Sequence, residues 1–238
     1  MKKALSLVMV FLVAVAFSAT GYSADKYVSG NIGISWMGEA SFDESYDWST
    51  YRDGMSLDNS KGVSLTGAFG CDYGDYRAEA ELGYQSGDVD NMTIIEAYAA
   101  PGIPQTDPMT GDVSVLSLMG NGYYDIDLGG VELFLTAGAG IAQVDLDNVA
   151  EVYSNGDVDA YNWNVSEVTL AYQIGAGLAL PVADNVMVEA RYRYFATTDF
   201  TISNDYNAND SGQRRIDDIE YKGNIDSHSA LIGLRIML

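Results

Sequence analysis

Residues 171–195, Ala-Tyr-Gln-Ile-Gly-Ala-Gly-Leu-Ala-Leu-Pro-Val-Ala-Asp-Asn-Val-Met-Val-Glu-Ala-Arg-Tyr-Arg-Tyr-Phe, alternate strictly on both sides of a short Pro/Asp/Asn break, the pattern of a β-hairpin. On the first arm Tyr172, Ile174, Ala176, Leu178 and Leu180 share one face, with Gln173, Gly175, Gly177 and Ala179 on the other. On the second arm Val186, Val188, Ala190, Tyr192 and Tyr194 oppose Glu189, Arg191 and Arg193. A soluble sheet would turn its apolar face to a core and its charges to water. Here the polar face mixes Arg, Glu and Gln with small residues, and the apolar face ends in tyrosines. That is the signature of a strand standing between lipid and a narrow polar lumen.

Six further segments repeat it. Val28, Gly30, Ile32, Ile34 and Trp36 alternate with Ser29, Asn31, Gly33 and Ser35 over about 26–37. Val63, Leu65, Gly67, Phe69 and Cys71 alternate with Ser64, Thr66, Ala68 and Gly70 over about 62–72. After a tight turn at Asp72-Tyr73-Gly74-Asp75, Tyr76, Ala78, Ala80, Leu82 and Tyr84 oppose Arg77, Glu79, Glu81, Gly83 and Gln85. A less regular strand over about 112–124 sets Leu116, Leu118, Gly120 and Gly122 against Ser117, Met119 and Asn121, and Asp125–Gly130 forms the next tight turn. Val131–Ile141 sets Val131, Leu133, Leu135, Ala137, Ala139 and Ile141 against Glu132, Phe134, Thr136, Gly138 and Gly140. The C-terminal segment places Ala230, Ile232, Leu234, Ile236 and Leu238 opposite Ser229, Leu231, Gly233, Arg235 and Met237.

The intervening connections run long, short, long, short, long, short, long, the long ones being polar segments at about 38–61, 87–111, 144–165 and 198–225. Each strand supplies the roughly 9–11 residues of a tilted membrane crossing. The expectation is an all-β protein: an eight-stranded, antiparallel, up-and-down transmembrane β-barrel with long external loops and both termini periplasmic.

Compartment follows from the N-terminus and the charge. Lys2 and Lys3 precede an apolar run from Ala4 to about Phe17 and the small residues Ser18, Ala19, Gly21, Ser23 and Ala24, which reads as a secretory leader over 1–23, cleaved after Ser23 or after Ala24. The barrel then occupies 24–238. No later apolar run is long enough for a membrane helix, so a spanning chain of this kind must close a sheet on itself. Cys71 stands alone and forms no intrachain disulfide; it reads as a small apolar strand residue. The formal charge of −22 becomes about −24 once Lys2 and Lys3 leave with the leader. So acidic a chain is no nucleic-acid binder, and its surface suits divalent cations or basic partners.

The 171–195 hairpin, Gly138-Ala139-Gly140, the Tyr76–Tyr84 strand and the alternating C-terminus together resemble the small outer-membrane barrels: OmpA/OmpX-like proteins, opacity-type surface antigens and porin-family barrels. The resemblance spans essentially the whole mature chain. It implies residence in the Gram-negative outer membrane, contact with its lipid and lipopolysaccharide, delivery by the barrel-insertion machinery, a monomer, and a role played by the external loops. One departure is that the family's last residue is usually aromatic, as part of the insertion signal, whereas here it is Leu238.

The inward-facing charges are the candidate site: Arg77, Glu79, Glu81, Glu132, Glu189, Arg191, Arg193 and Arg235. Charges inside a narrow barrel need partners. The third strand, carrying Glu79 and Glu81, lies across the ring from the seventh, so these carboxylates could meet Arg191, Arg193 or Arg235 across the axis, and a structural network that plugs the lumen is the expected role. A gate or narrow charged pore is the alternative. Carboxylates beside arginines stay ionised, which suits acid–base catalysis poorly.

The remaining motifs carry less. Gly138-x-Gly140 lacks the third glycine of a nucleotide loop, position 143 being Gln. His228, the only histidine, falls on the lipid side without the His-x-Ser spacing of an outer-membrane lipid hydrolase, since residue 230 is Ala and Ser229 has the opposite phase. Asp145, Asp147, Asp157, Asp159, Asp217 and Asp218 offer oxygen ligands but complete no calcium loop. Tyr73, Tyr76 and Tyr124 at one end, and Trp36, Tyr84 and Tyr194 nearer the other, fit interfacial girdles, and a sugar-binding aromatic cluster is the alternative for Tyr46, Trp48 and Tyr51 in the first loop. No catalytic residue, cofactor or metal is expected. The function expected is that of a surface protein for membrane integrity, adhesion or host contact through its acidic external loops; the alternatives are, in order, a small porin with a narrow charged pore, an enzyme at the lipid interface, and a secreted soluble β-barrel carrying a small ligand.

Overall fold

The computed structural model describes residues 24–38, 40–46, 49–59, 61–95, 104–152, 163–204 and 219–238. The leader falls outside these. The strands are β1 (Asp25–Met37), β2 (Ala40–Tyr46), β3 (Ser49–Asn59), β4 (Lys61–Asp72), β5 (Tyr76–Ile95), β6 (Pro104–Asp127), β7 (Glu132–Glu151), β8 (Trp163–Ala183), β9 (Val186–Thr197), β10 (Phe200–Asn204), β11 (Ile219–Gly223) and β12 (Asp226–Met237).

Eight of them form the wall, in the order β1-β4-β5-β6-β7-β8-β9-β12, and β12 pairs back with β1 to close the ring. All pairings are antiparallel, and closure leaves no open edge at the level of the lipid. The registers set apolar side chains beside one another on the outer surface. Ile32, for example, lies between Leu65 and Ile232, and all three are exposed although large and apolar.

Turn chemistry at the short connections matches the residues. Asp72 Oδ1 accepts from Gly74 N at 2.8 Å, and Gly74 takes a φ of +96°, a conformation open to glycine and strained for other side chains. The next turn is shorter than the Asp125–Gly130 segment expected. β6 continues through Asp127, and Asp127 Oδ1 takes over the turn by accepting from Gly129 N at 2.7 Å. This frees Asp125 to face the lumen.

Where they are described, the polar connections expected to be long loops are largely strand. β5 runs 20 residues, β6 24, β7 20 and β8 21, about twice the crossing length; β2 and β3 lie in the first of the other two connections, and β10 and β11 at the described ends of the last. The order β10-β11-β2-β3-β5 repeats the neighbours β9-β12-β1-β4-β5, so the wall continues upward beyond the membrane. The short apolar patch at Ile94 and Ile95 ends β5, and its remainder, 96–100, lies outside the described residues.

β7 explains why the outer half was read as loop. Its outer face reads Leu133, Leu135, Ala137, Ala139, Ile141, then Gln143, Asp145 and Asp147. Its inner face reads Phe134, Thr136, Gly138, Gly140, then Ala142, Val144 and Leu146. From Leu133 to Asp147 the alternation does not slip, but the polarity of the two faces exchanges where the chain leaves the lipid. Outside the membrane water is the external solvent, so the apolar face must turn inward. The resulting core gathers Met37, Val89, Met109, Val113, Val115, Met119, Val144, Leu146 and Phe195 among others.

Candidate functional site: the barrel interior

All eight candidate residues face the lumen. Seven are buried, and Glu132 is partly open at the periplasmic end. Strict alternation on β5, β7, β9 and β12 aims them inward, and an eight-stranded ring is just wide enough for such side chains to meet across it. Small residues make the room. A Cβ at Gly177 would collide with the Phe134 ring, and one at Gly138 with the Asn121 amide oxygen.

At the periplasmic end Arg77 holds Asp125 through two bonds, Nε to Oδ2 at 2.5 Å and Nη2 to Oδ1 at 2.8 Å. The same guanidinium stands over the rings of Tyr123 at 4.3 Å, Phe134 at 5.4 Å and Tyr27 at 5.5 Å. Glu132 bridges Arg77, at 3.9 Å, to Arg235, and Arg235 Nε lies 3.0 Å from Glu189 Oε1.

One step toward the outside, Glu79 is held by neutral donors: the hydroxyls of Tyr27 at 3.0 Å and Tyr123 at 2.5 Å, and Asn121 Nδ2 at 3.1 Å. Glu81 is the hub of the middle tier. It accepts from Arg191 Nη2 at 2.9 Å and Gln173 Nε2 at 3.1 Å, with Arg193 Nη1 at 3.6 Å. Arg191 also donates to Tyr123 Oη at 2.9 Å and Thr66 Oγ1 at 3.1 Å, tying four strands together.

The geometry therefore brings Glu81 to Arg191 and Arg193 across the axis, whereas Arg235 serves Glu132 and Glu189. Tyr27, Tyr123 and Asp125 belong to the same network and were not singled out from sequence. Their phase was available, because Tyr27 precedes Ser29 by two residues, and Tyr123 and Asp125 follow Asn121 by two and four. A strand boundary drawn too early hid Asp125, and a tyrosine looks like a girdle residue until its face is known.

The other candidates separate from this centre. His228 is exposed on the lipid side, its Nδ1 2.6 Å from Tyr192 Oη and its ring 5.1 Å from that of Tyr194. Ser229 points into the lumen toward Ser35, away from that imidazole. Gly138 and Gly140 lie mid-strand in β7. Asp145 accepts from Gln143 Nε2 at 3.0 and 3.1 Å, while Asp157, Asp159, Asp217 and Asp218 lie outside the described residues. Trp48 also lies outside them; Tyr46 ends β2 and Tyr51 lies in β3.

With the closed wall in view, the likenesses to known proteins fall into place. The outer membrane protein PagN of Salmonella typhimurium is 27% identical over 213 residues, covering 85% of this chain and 87% of that one. The crystal structure of OprG from Pseudomonas aeruginosa superposes with a TM-score of 0.56 at 12% identity, over 92% of this chain and 98% of that one. Neisserial surface protein A superposes with a TM-score of 0.50 at 17% identity, over 91% of this chain and 100% of its own. Both share the fold. The family model for the outer membrane protein beta-barrel domain matches residues 6–213, and the chain accordingly belongs to that family of Gram-negative outer-membrane proteins.

Proposed function

We propose that this barrel is a sealed, non-enzymatic anchor that lifts an acidic β-extension off the cell surface to contact a host cell or another extracellular ligand. The observation that supports the reading is the burial of the inward-facing side chains along the described strands. The buried ionic side chains from Arg77 to Arg193 line the membrane-level lumen, Met119 lies in register with Glu81, and Val113, Val115, Val144 and Leu146 continue the inner face outward along β6 and β7. A hydrated ion would have to displace paired charges and then cross a dry layer, at a desolvation cost of several kcal/mol even after relaxation.

With the inside occupied, recognition falls to the outside. Asp88, Asp112 and Asp147 stand side by side in register on the outer face of β5, β6 and β7, and all three are exposed. In a chain of net charge −22 such a surface favours a partner with a basic face and makes the encounter sensitive to salt.

Planar-bilayer recording of refolded protein tests the seal: no steady current is expected, and a large steady current would establish the narrow-pore alternative. Binding of bacteria to host cells, measured before and after protease removes the exposed extension, tests the contact role. Loss of binding is expected, and equal binding after clipping would refute it.

A further inference from the structure

We infer that the flank of β8 from Trp163 to Thr169, on the side away from β7, takes up an extended segment of a partner polypeptide as an added β-strand, and that this segment brings a lysine or arginine to Glu167. The inference deepens the surface-contact reading, on which it rests, by fixing where the partner sits and what it carries.

The ring is closed at the level of the lipid, and among the described residues it is open above. Around the extension the strands run β10-β11-β2-β3-β5-β6-β7-β8, each hydrogen-bonded to the next. No pairing joins β8 to β10 among the described residues. Toward this seam the described bonds end with Thr198 N to Leu170 O at 2.8 Å and Thr169 Oγ1 to Thr198 O at 3.1 Å. There the chain leans to its other neighbour. Thr197 N donates to Ile225 O at 2.9 Å, Ile225 N donates to Thr197 Oγ1 at 3.0 Å, and β10 pairs with β11.

A β-strand turns the N–H and C=O of successive residues to alternate sides. Leu170 O faces the seam, so the peptide groups of Val168, Ser166 and Asn164 face it too, while those of Val165, Glu167 and Thr169 point toward β7. Such unpaired rungs are the template on which a further strand adds. Trp163–Thr169 holds neither proline nor lysine, the residues that commonly blunt an edge of this kind.

The side chains select the strand. Glu167 shares the inner face with Val144, its register partner on β7, and no cation is paired with it among the described residues. An acid turned inward at a sheet edge disfavours a neutral or acidic strand, which would bury it unpaired, and admits one that supplies a cation. This argues against a second copy of the chain, whose net charge is −22 and whose own β8 would bring another Glu167. On the outer face Val168 is 65% exposed and stands in register with Gln143, where β7 has already turned polar. An apolar residue beside it on the added strand would cover it. The segment recognised is therefore extended, with a basic and an apolar residue adjacent in sequence and on opposite faces.

Amide exchange followed by NMR on the refolded protein in detergent micelles gives the test. In the free protein the amides of Asn164, Ser166 and Val168 should exchange fast; slow exchange there would mean that the flank is already covered and would overturn the proposal. The probe is a short synthetic peptide of threonine and valine with a central lysine. Adding it should slow those amides by about tenfold or more. The same peptide with every amide N-methylated, or with glutamate in place of the lysine, should leave them fast. Protection by the methylated form would overturn strand addition, and protection by the glutamate form would overturn the pairing with Glu167. Glu167→Gln should weaken the lysine peptide about fivefold, and an unchanged affinity would count against the pairing. Protection that instead grows with protein concentration, in step with a dimer in sedimentation, would make the occupant a second copy and overturn the assignment. Peptide protection together with host-cell binding that survives clipping would sink the contact role and keep the strand site. Clipping-sensitive binding with no peptide protection would do the reverse.

Discussion

The two halves of β7 solve opposite problems with one alternation. From Leu133 to Ile141 the outward side chains meet hydrocarbon, and the inward ones share a lumen with Arg77, Glu79, Glu81 and Arg191. From Ala142 to Leu146 the inward side chains are apolar and the outward ones are Gln143 and Asp145. The boundary falls between neighbouring residues, without a bulge. What changes there is the solvent outside, and the interior changes with it. In the membrane the wall gains little from hiding apolar groups, so the lumen can be ionic provided each charge is paired. Beyond it, the extension must exclude water from a core as any soluble sheet does.

The comparison can be broken at its strongest point first. Glu81→Ala leaves Arg191 and Arg193 buried without their shared carboxylate and should cost about 3–5 kcal/mol, read from urea midpoints in detergent micelles. An unchanged midpoint would mean that water reaches the lumen. Next comes a charge on the outer wall: Ile32→Arg, at mid-height among Leu65 and Ile232, should cost about 2–4 kcal/mol, since arginine there faces lipid. The same substitution above the boundary, Gln143→Arg, should stay within about 0.5 kcal/mol. Equal costs at the two positions would erase the distinction between the halves.

In the outer core, Leu146→Ala should cost about 2 kcal/mol. Hydrogen exchange should show the loss confined to the extension, with the membrane-level strands still protected. The smallest effect is expected at the lipid interface, where Tyr192→Phe removes the hydroxyl bonded to His228 Nδ1 and should lower stability by about 1 kcal/mol. A larger fall would give this pair a role beyond the girdle.

The face each lumen residue occupies could be read directly from sequence, because alternation with a period of two needs no tertiary information. Glu81, Arg191 and Arg193 were assigned inward on that ground, and the registers place them there. Which carboxylate each arginine meets was less legible. Strand count and ring order narrow the choice to opposite walls, but the stagger of the closed ring sends Arg235 to Glu132 and Glu189, and surrounds Glu79 with Tyr27, Tyr123 and Asn121. The outer halves of β5 to β8 were illegible for a different reason. Val113, Val115, Val144 and Leu146 continue the same strands, yet their polarity contradicts the rule that identified those strands.

The local pattern alone determined that this chain is a closed antiparallel wall with charges inside, since an apolar strand face ending in tyrosines has nowhere to go but lipid. The pairing of those charges, and the height at which inside and outside exchange polarity, were decided only when eight strands closed with one stagger. Both depend on distances across the ring and on where the surrounding solvent changes, and neither is a property of any single strand.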